Sequence, residues 1–142
     1  MYRIAVITVS DTASKGERID ESGKVIVEIA ENNGFEAVFT TILPDDEDAL
    51  TQLLCKLCDE DRVDLILTTG GTGFSKRDHT PEATLKAIER NANGISEAMR
   101  YRSLQITPRG MLSRGVSGIR KEALVVNLPG SPKAVRECLE YI

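Results

Sequence analysis

Three groups of residues in this sequence have the types and spacing to do chemistry. Gly70-Gly71-Thr72-Gly73 directly follows an apolar run and lies shortly before Thr80-Pro81. Glycine there lets backbone N–H groups approach an anion with no Cβ in the way, so a phosphate fits the concavity. The same loop also reads as a tight strand-to-helix turn without a ligand. It is neither a Walker A motif, since no Gly-Lys-Ser/Thr follows, nor the dinucleotide GxGxxG. Leu128-Pro129-Gly130-Ser131-Pro132 is a second glycine turn at a helix start, able to hold a second anionic group; by itself it is also an ordinary Pro-Gly turn with a good N-cap. Two such turns in one small domain favour a ligand with several phosphates. The third group is carboxylate: Asp45, Asp46 and Asp78. Mg²⁺ is usually held by one or two such groups plus substrate phosphates. Asp46, with Asp48, also suits a helix N-terminus, and Asp78 also reads as a turn residue paired with Arg77.

Charge is unevenly distributed. Residues 45–61 carry seven acidic groups and one Lys, whereas residues 98–121 carry six Arg or Lys and no Asp or Glu. Arg109, Arg114, Arg120 and Lys121 could meet an anionic ligand, although such a run also reads as a solvated face or a subunit contact. Lys15, Arg18, Lys76 and Arg77 add positive charge in the neighbouring loops. Cys55 and Cys58 lie at i and i+3 within a helix, with no second pair and no clustered His, and read as core. His79 is the single histidine, and with no paired nucleophile it speaks against a Ser-His or Cys-His hydrolase. Phe74 and Tyr101 are too isolated to stack single-stranded bases.

The elements that must position these residues alternate between short apolar runs, suited to strands buried on both faces of a parallel sheet, and longer amphipathic stretches suited to helices. Ile4 to Val9 reads as a first strand. Val25, Ile26, Ile29 and Ala30 form a helical stripe ended by Asn33-Gly34, and Phe35 to Ile42 reads as a second strand stopped by Pro44. Over residues 46–59, Leu50, Leu53, Leu54, Leu57 and Cys58 recur at helical spacing. A third strand at Leu65 to Leu67 runs into the glycine loop, and Thr80-Pro81 offers an N-cap with Pro at the first helical position for a helix to about Arg90. Residues 95–105 look helical, 110–120 irregular or edge-strand, and Leu124 to Leu128 is a last buried strand. Ser131-Pro132 opens a helix with Val135, Cys138, Leu139 and Ile142 on one face. The pattern predicts a single domain over residues 1–142: an α/β three-layer α/β/α sandwich with a mostly parallel sheet. Ligands of such sheets sit outside the carboxyl ends of the strands, which here means loops 10–21, 43–46, 70–80 and 128–131.

With 142 residues and 15.6 kDa, the chain should expose roughly 7,000 Å² when folded. Its 41% hydrophobic and 28% charged residues are those of an ordinary globular domain. A net charge of −4 gives no general footprint for nucleic acid or an anionic membrane. No run is apolar enough to span a bilayer, and no signal-peptide pattern precedes the first strand. Three cysteines give no disulfide framework. The expectation is a cytoplasmic protein.

The string Thr69-Gly-Gly-Thr-Gly-Phe-Ser-Lys-Arg-Asp-His-Thr-Pro-Glu-Ala-Thr84 resembles the signature of the MogA/MoaB family of molybdenum-cofactor biosynthesis, which includes the gephyrin G domain. Thr8-Val9-Ser10-Asp11, Asp20-Glu21-Ser22-Gly23, Leu43-Pro44-Asp45, Leu112-Ser113-Arg114-Gly115, Gly118-Ile119-Arg120 and Asn127-Leu-Pro-Gly-Ser-Pro132 extend the resemblance along the whole chain. The related molybdenum-insertion proteins differ in the glycine loop, so the chain resembles the adenylylating branch.

The resemblance implies a molybdopterin adenylyltransferase that uses Mg²⁺ and ATP and releases pyrophosphate. It implies catalytic, Mg²⁺-holding roles for Asp45 and Asp78, a nucleotide-phosphate loop at Gly70, Gly71, Thr72 and Gly73 with Ser10 and Asp11 beside it, and a molybdopterin side at Ser113, Arg114, Pro129, Gly130 and Ser131. It further implies a homo-oligomer, trimeric or hexameric, whose product passes to a molybdenum-insertion protein. The other readings are a pterin- or nucleotide-binding protein without transferase activity and a trimerising interaction module; Asp45 and Asp78 favour catalysis over both. At 142 residues the chain is slightly short for this family. That implies a lost C-terminal extension or a truncated sequence, with the core completed by the last helix or by neighbouring subunits.

Overall fold

The structure is a computed structural model that describes residues 1–142. Its sheet has six strands in the order β2-β1-β3-β6-β5-β4: β1 (Arg3–Val9), β2 (Glu36–Leu43), β3 (Leu65–Thr69), β4 (Arg90–Asn91), β5 (Ser117–Arg120) and β6 (Ala123–Leu128). The pairs β1·β2, β1·β3 and β3·β6 are parallel, and β5 runs antiparallel between β6 and β4. The helices are α1 (Asp11–Ser14), α2 (Glu21–Asn32), α3 (Glu47–Asp59), α4 (Thr80–Ala87), α5 (Asn93–Ile106) and α6 (Pro132–Tyr141), with a 3₁₀ turn at Pro108–Leu112.

The central strands are uninterrupted apolar runs because both faces are covered. Residues of β1 alternate between two cores: Ala5, Ile7 and Val9 pack on Leu50, Leu54 and Leu57 of α3 and on Ala83 and Ala87 of α4, while Ile4 and Val6 pack on Ile26 of α2, Met99 of α5 and Val135 and Cys138 of α6. The sandwich therefore has α3 and α4 in one layer and α2, α5 and α6 in the other. Its accessible surface is 7619 Å², close to the expectation from chain length.

Several boundaries differ from the sequence pattern for identifiable reasons. β2 lies at the sheet edge and alternates half-buried with exposed residues, unlike the fully buried central strands. The helix expected to reach Arg90 stops at Ala87, and Arg90–Asn91 form the opposite edge strand. There Glu89 N–H donates to Ile119 O at 2.8 Å and Ala92 N–H to Ser117 O at 2.9 Å, so sheet pairing replaces the last helical turn. β5 is accordingly internal rather than at an edge. Thr80 is the first helical residue of α4, not its cap; that position falls to His79, which makes no capping side-chain bond.

Buried polar groups lock the layers in register. Asn127 Nδ2 on β6 donates to Thr68 Oγ1 on β3 and to Thr84 Oγ1 on α4, both at 2.9 Å, and its Oδ1 accepts from Val116 N at 3.1 Å. Satisfied on all these atoms, the amide specifies one arrangement of strand against helix. Cys58 is free and buried in the α3 core, where burial pushes its thiol up to about 11. Leu54 is fully buried between α3 and the sheet; Leu54→Ala is expected to cost about 2–5 kcal/mol in equilibrium urea unfolding, against a smaller loss for half-buried Leu53→Ala.

Candidate functional site

After β1 the chain turns to α2 on one face of the sheet, and after the neighbouring β3 it turns to α4 on the other. The crevice between these loops is a topological switch point, where open α/β sheets take their ligands. The turn after β2 and the turn after β6 border it.

Gly70 and Gly71 shape the floor. Gly70 has φ +94°, and a Cβ there would lie 2.4 Å from the carbonyl oxygen of Val9. Gly71 has φ +70°, and its Cβ would lie 2.2 Å from Thr80 Oγ1. Left-handed backbone and the absence of space both demand glycine. Pro129 O accepts from Thr69 Oγ1, which draws the second glycine turn against the first, and Gly130 O accepts from Ser22 Oγ at the start of α2, each at 2.6 Å. Ser131 Oγ accepts from Ala134 N at 3.1 Å and caps α6, as the Pro-Gly turn reading expects.

The carboxylates converge from three loops. Asp45 N–H donates to Asp11 Oδ1 at 2.9 Å, and Asp11 N–H donates back to Asp45 Oδ2 at 3.2 Å. Across the crevice, Arg77 Nε donates to Asp11 Oδ2 at 2.5 Å and its Nη2 to Asp11 Oδ1 at 3.1 Å and Asp45 O at 3.3 Å. Arg77 thus pairs with Asp11, not with the adjacent Asp78 as the turn reading has it. Asp78 Oδ2 instead accepts from Ser75 N at 3.0 Å and lies 2.9 Å from where a Cβ on Gly73 would stand; Asp45 Oδ1 lies 3.5 Å from the corresponding point on Gly71. Asp46 faces away and caps α3, accepting from Ala49 N at 3.1 Å.

Arg114, implied on the pterin side, braces the outer wall of the glycine loop. Its Nε donates to Gly73 O and Nη2 to Asp78 O, both at 2.8 Å, while Nη1 pairs with Glu82 Oε2 at 2.7 Å. Arg120 pairs with Asp59, far along α3. Ser10 Oγ caps α1 by accepting from Ala13 N at 3.2 Å. Ser113, Pro129, Arg100, Arg109 and Asn127 line a separate cavity of about 200 Å³ beneath the second glycine turn. The sequence pattern missed the Asp11–Arg77 clamp and the Arg114–Glu82 brace, since each partner is remote in sequence and carries no local signature.

Burial, reinforced by the charges of Asp11 and Asp78, pushes the Asp45 carboxyl above its ordinary value despite the Asp11 N–H. The Arg77 guanidinium, helped by the Asp45 N–H, holds Asp11 below its own. The pair is thus asymmetric: Asp11 already has its cation, and Asp45 is left wanting one. No group of three or more metal-ligating side chains occurs. Asp45 and Asp78 border the glycine cradle and could hold a divalent cation only together with ligands from outside the protein.

Carboxylates beside a glycine cradle, at the switch point of a mostly parallel sheet, place this chain among α/β proteins with a ligand crevice at the strand ends. Residues 5–142 match the family model of the probable molybdopterin binding domain, and the chain belongs to that family. It is 46% identical to the molybdopterin adenylyltransferase of Helicobacter pylori, over 98% of this chain and 80% of that protein. With the molybdopterin adenylyltransferase of Escherichia coli it shares 44% identity over 99% of this chain and 73% of that protein. The crystal structure of the molybdopterin biosynthesis enzyme MoaB from Thermus thermophilus superposes with a TM-score of 0.93 at 43% identity, covering 99% of this chain and 89% of that one.

A carboxyl raised in the folded state weakens folding once it ionises, so Asp45 reduces stability as pH rises through the ordinary carboxylate value near 4 and on through its folded value. Asp45→Asn keeps an acceptor for the Asp11 N–H and removes that charge. Its melting temperature is expected to exceed the parent's at neutral pH, with the difference closing below about pH 4, as thermal denaturation across pH would record.

Proposed function

We propose that this chain is a molybdopterin adenylyltransferase of molybdenum-cofactor biosynthesis, transferring AMP from ATP to the terminal phosphate of molybdopterin with release of pyrophosphate. The observation that carries the reading is the placement of Asp45 and Asp78 against Gly71 and Gly73 of one cradle, in a chain whose relatives of that name match nearly its full length.

An oxygen of the molybdopterin phosphate forms the new bond to the α-phosphorus of ATP, and the bond from that phosphorus to the β-phosphate bridging oxygen breaks, with its electrons leaving on pyrophosphate. A phosphate needs little activation as a nucleophile; it needs alignment and relief from charge repulsion. Mg²⁺, when bound, would neutralise charge on the transferring and leaving phosphates. Asp45 and Asp78 would hold it, with Asp45 supplying the carboxylate that lacks a cation partner. Backbone N–H groups of residues 70–73 would orient the polyphosphate. Arg77 fixes Asp11 and the Asp45 backbone, and Arg114 fixes the carbonyls of Gly73 and Asp78, which anchors the two ends of the crevice and leaves Gly70 and Gly71 outside both clamps. The pterin side is assigned to the Ser113 and Pro129–Ser131 segments around the cavity under the second glycine turn. An assembly of identical subunits would use α5 and the following turn, where Tyr101, Leu104, Ile106, Met111 and Leu112 are exposed. The product would be passed to a molybdenum-insertion protein.

Measured as AMP transfer from Mg²⁺-ATP to molybdopterin, Asp78→Ala is expected to abolish turnover with the circular dichroism and melting profile of a folded protein. Asp46→Ala is expected to retain turnover and lose about 1 kcal/mol of stability with its helix cap. Wild-type turnover in Asp78→Ala would refute the assignment.

A further inference from the structure

Thr80 Oγ1 is the one buried side-chain nitrogen or oxygen in the chain without a hydrogen-bond partner. The residue is 1% exposed and opens α4, a helix whose cap, His79, offers no side-chain acceptor to the first-turn N–H groups. A helical threonine ordinarily returns its hydroxyl to a carbonyl one turn back or acts as the cap itself; this one does neither. It faces the bare Cα of Gly71, 2.2 Å from the point a Cβ would occupy, while its own N–H donates to Gly71 O at 3.1 Å. An unpaired buried hydroxyl costs stability, and valine would fill the same volume without that cost.

We propose that the Thr80 hydroxyl is a reserved donor for the phosphate group taken up by the glycine loop, and that the loop re-forms around that group so the hydroxyl reaches it. The inference rests on the nucleotide-phosphate reading of the loop given above. Gly70 and Gly71 both occupy left-handed backbone, which glycine leaves and re-enters at little steric cost, so the segment over Thr80 can rearrange without side-chain strain. The phosphate would then meet the positive end of α4 together with one O–H. Thr80 differs from a structural threonine in sign, because its hydroxyl weakens the empty protein and strengthens the loaded one.

The test is calorimetric titration with Mg²⁺-ATP, alongside melting without nucleotide, for the parent, Thr80→Val and Thr80→Ser. Thr80→Val is expected to melt at or above the parent temperature and to bind nucleotide at least about ten-fold more weakly, and Thr80→Ser to bind within a few-fold of the parent. Parent-like nucleotide affinity in Thr80→Val overturns the proposal, as does a lower melting temperature of that variant without nucleotide, which would make the hydroxyl structural. A parent protein that binds no ATP would instead overturn the nucleotide reading itself, and this inference with it.

Discussion

The register of the three central strands is the constraint on which the site depends. Thr8 stands opposite Thr69, and Thr69 opposite Leu128, so β1, β3 and β6 end at one level and release their loops side by side. Gly70 then passes so close to the Val9 carbonyl that no Cβ fits. A slip of one residue along any of these strands would turn its core residues to the opposite face. The two cores, one of Ala5, Ile7 and Val9 and the other of Ile4 and Val6, therefore hold the register, and the register holds the site.

On that platform the electrostatics divide into structural and reserved charge. Arg77 and Arg114 are engaged with Asp11 and Glu82 and stiffen two loops that hydrophobic contacts alone would leave loose. The ion pairs are exposed enough that each contributes modestly to stability; their value is geometric, since bidentate guanidinium contacts fix direction. Asp45 sits beside this arrangement without a cation of its own. A carboxylate crowded by burial and two like charges is a poor choice for stability, the pattern expected where a site departs from structural optimality.

Much of the architecture was legible in the sequence because local rules and burial agree there. The α3 stripe of Leu50, Leu54, Leu57 and Cys58, the Asn33-Gly34 stop and the Ser131-Pro132 start all appear as read. Asp46 was equally readable as a cap, because capping is decided within four residues. The errors fall where a distant strand competes with local propensity. The helical pattern reaches to about Arg90, yet Arg90 and Asn91 pair with β5, and Thr80-Pro81 carries the cap signal while the cap itself falls one residue earlier.

For the site, the sequence by itself determined the candidates: the glycine loop, the carboxylates Asp45, Asp46 and Asp78, and the second glycine turn, with Asp45 and Asp78 singled out by the family resemblance. Only the tertiary structure decided the partnerships. Arg77 stands next to Asp78 in sequence yet clamps Asp11, 66 positions away. Arg114 belongs to a basic stretch yet donates to Gly73 O in the glycine loop while pairing with Glu82 of α4, and Thr80 lies in a cap motif yet has an unpaired hydroxyl. The reason is physical. Spacing along the chain fixes which groups share a strand end or a helix face, whereas hydrogen bonds and charge pairing act over a few ångströms and are settled only when the sheet register brings separate loops together.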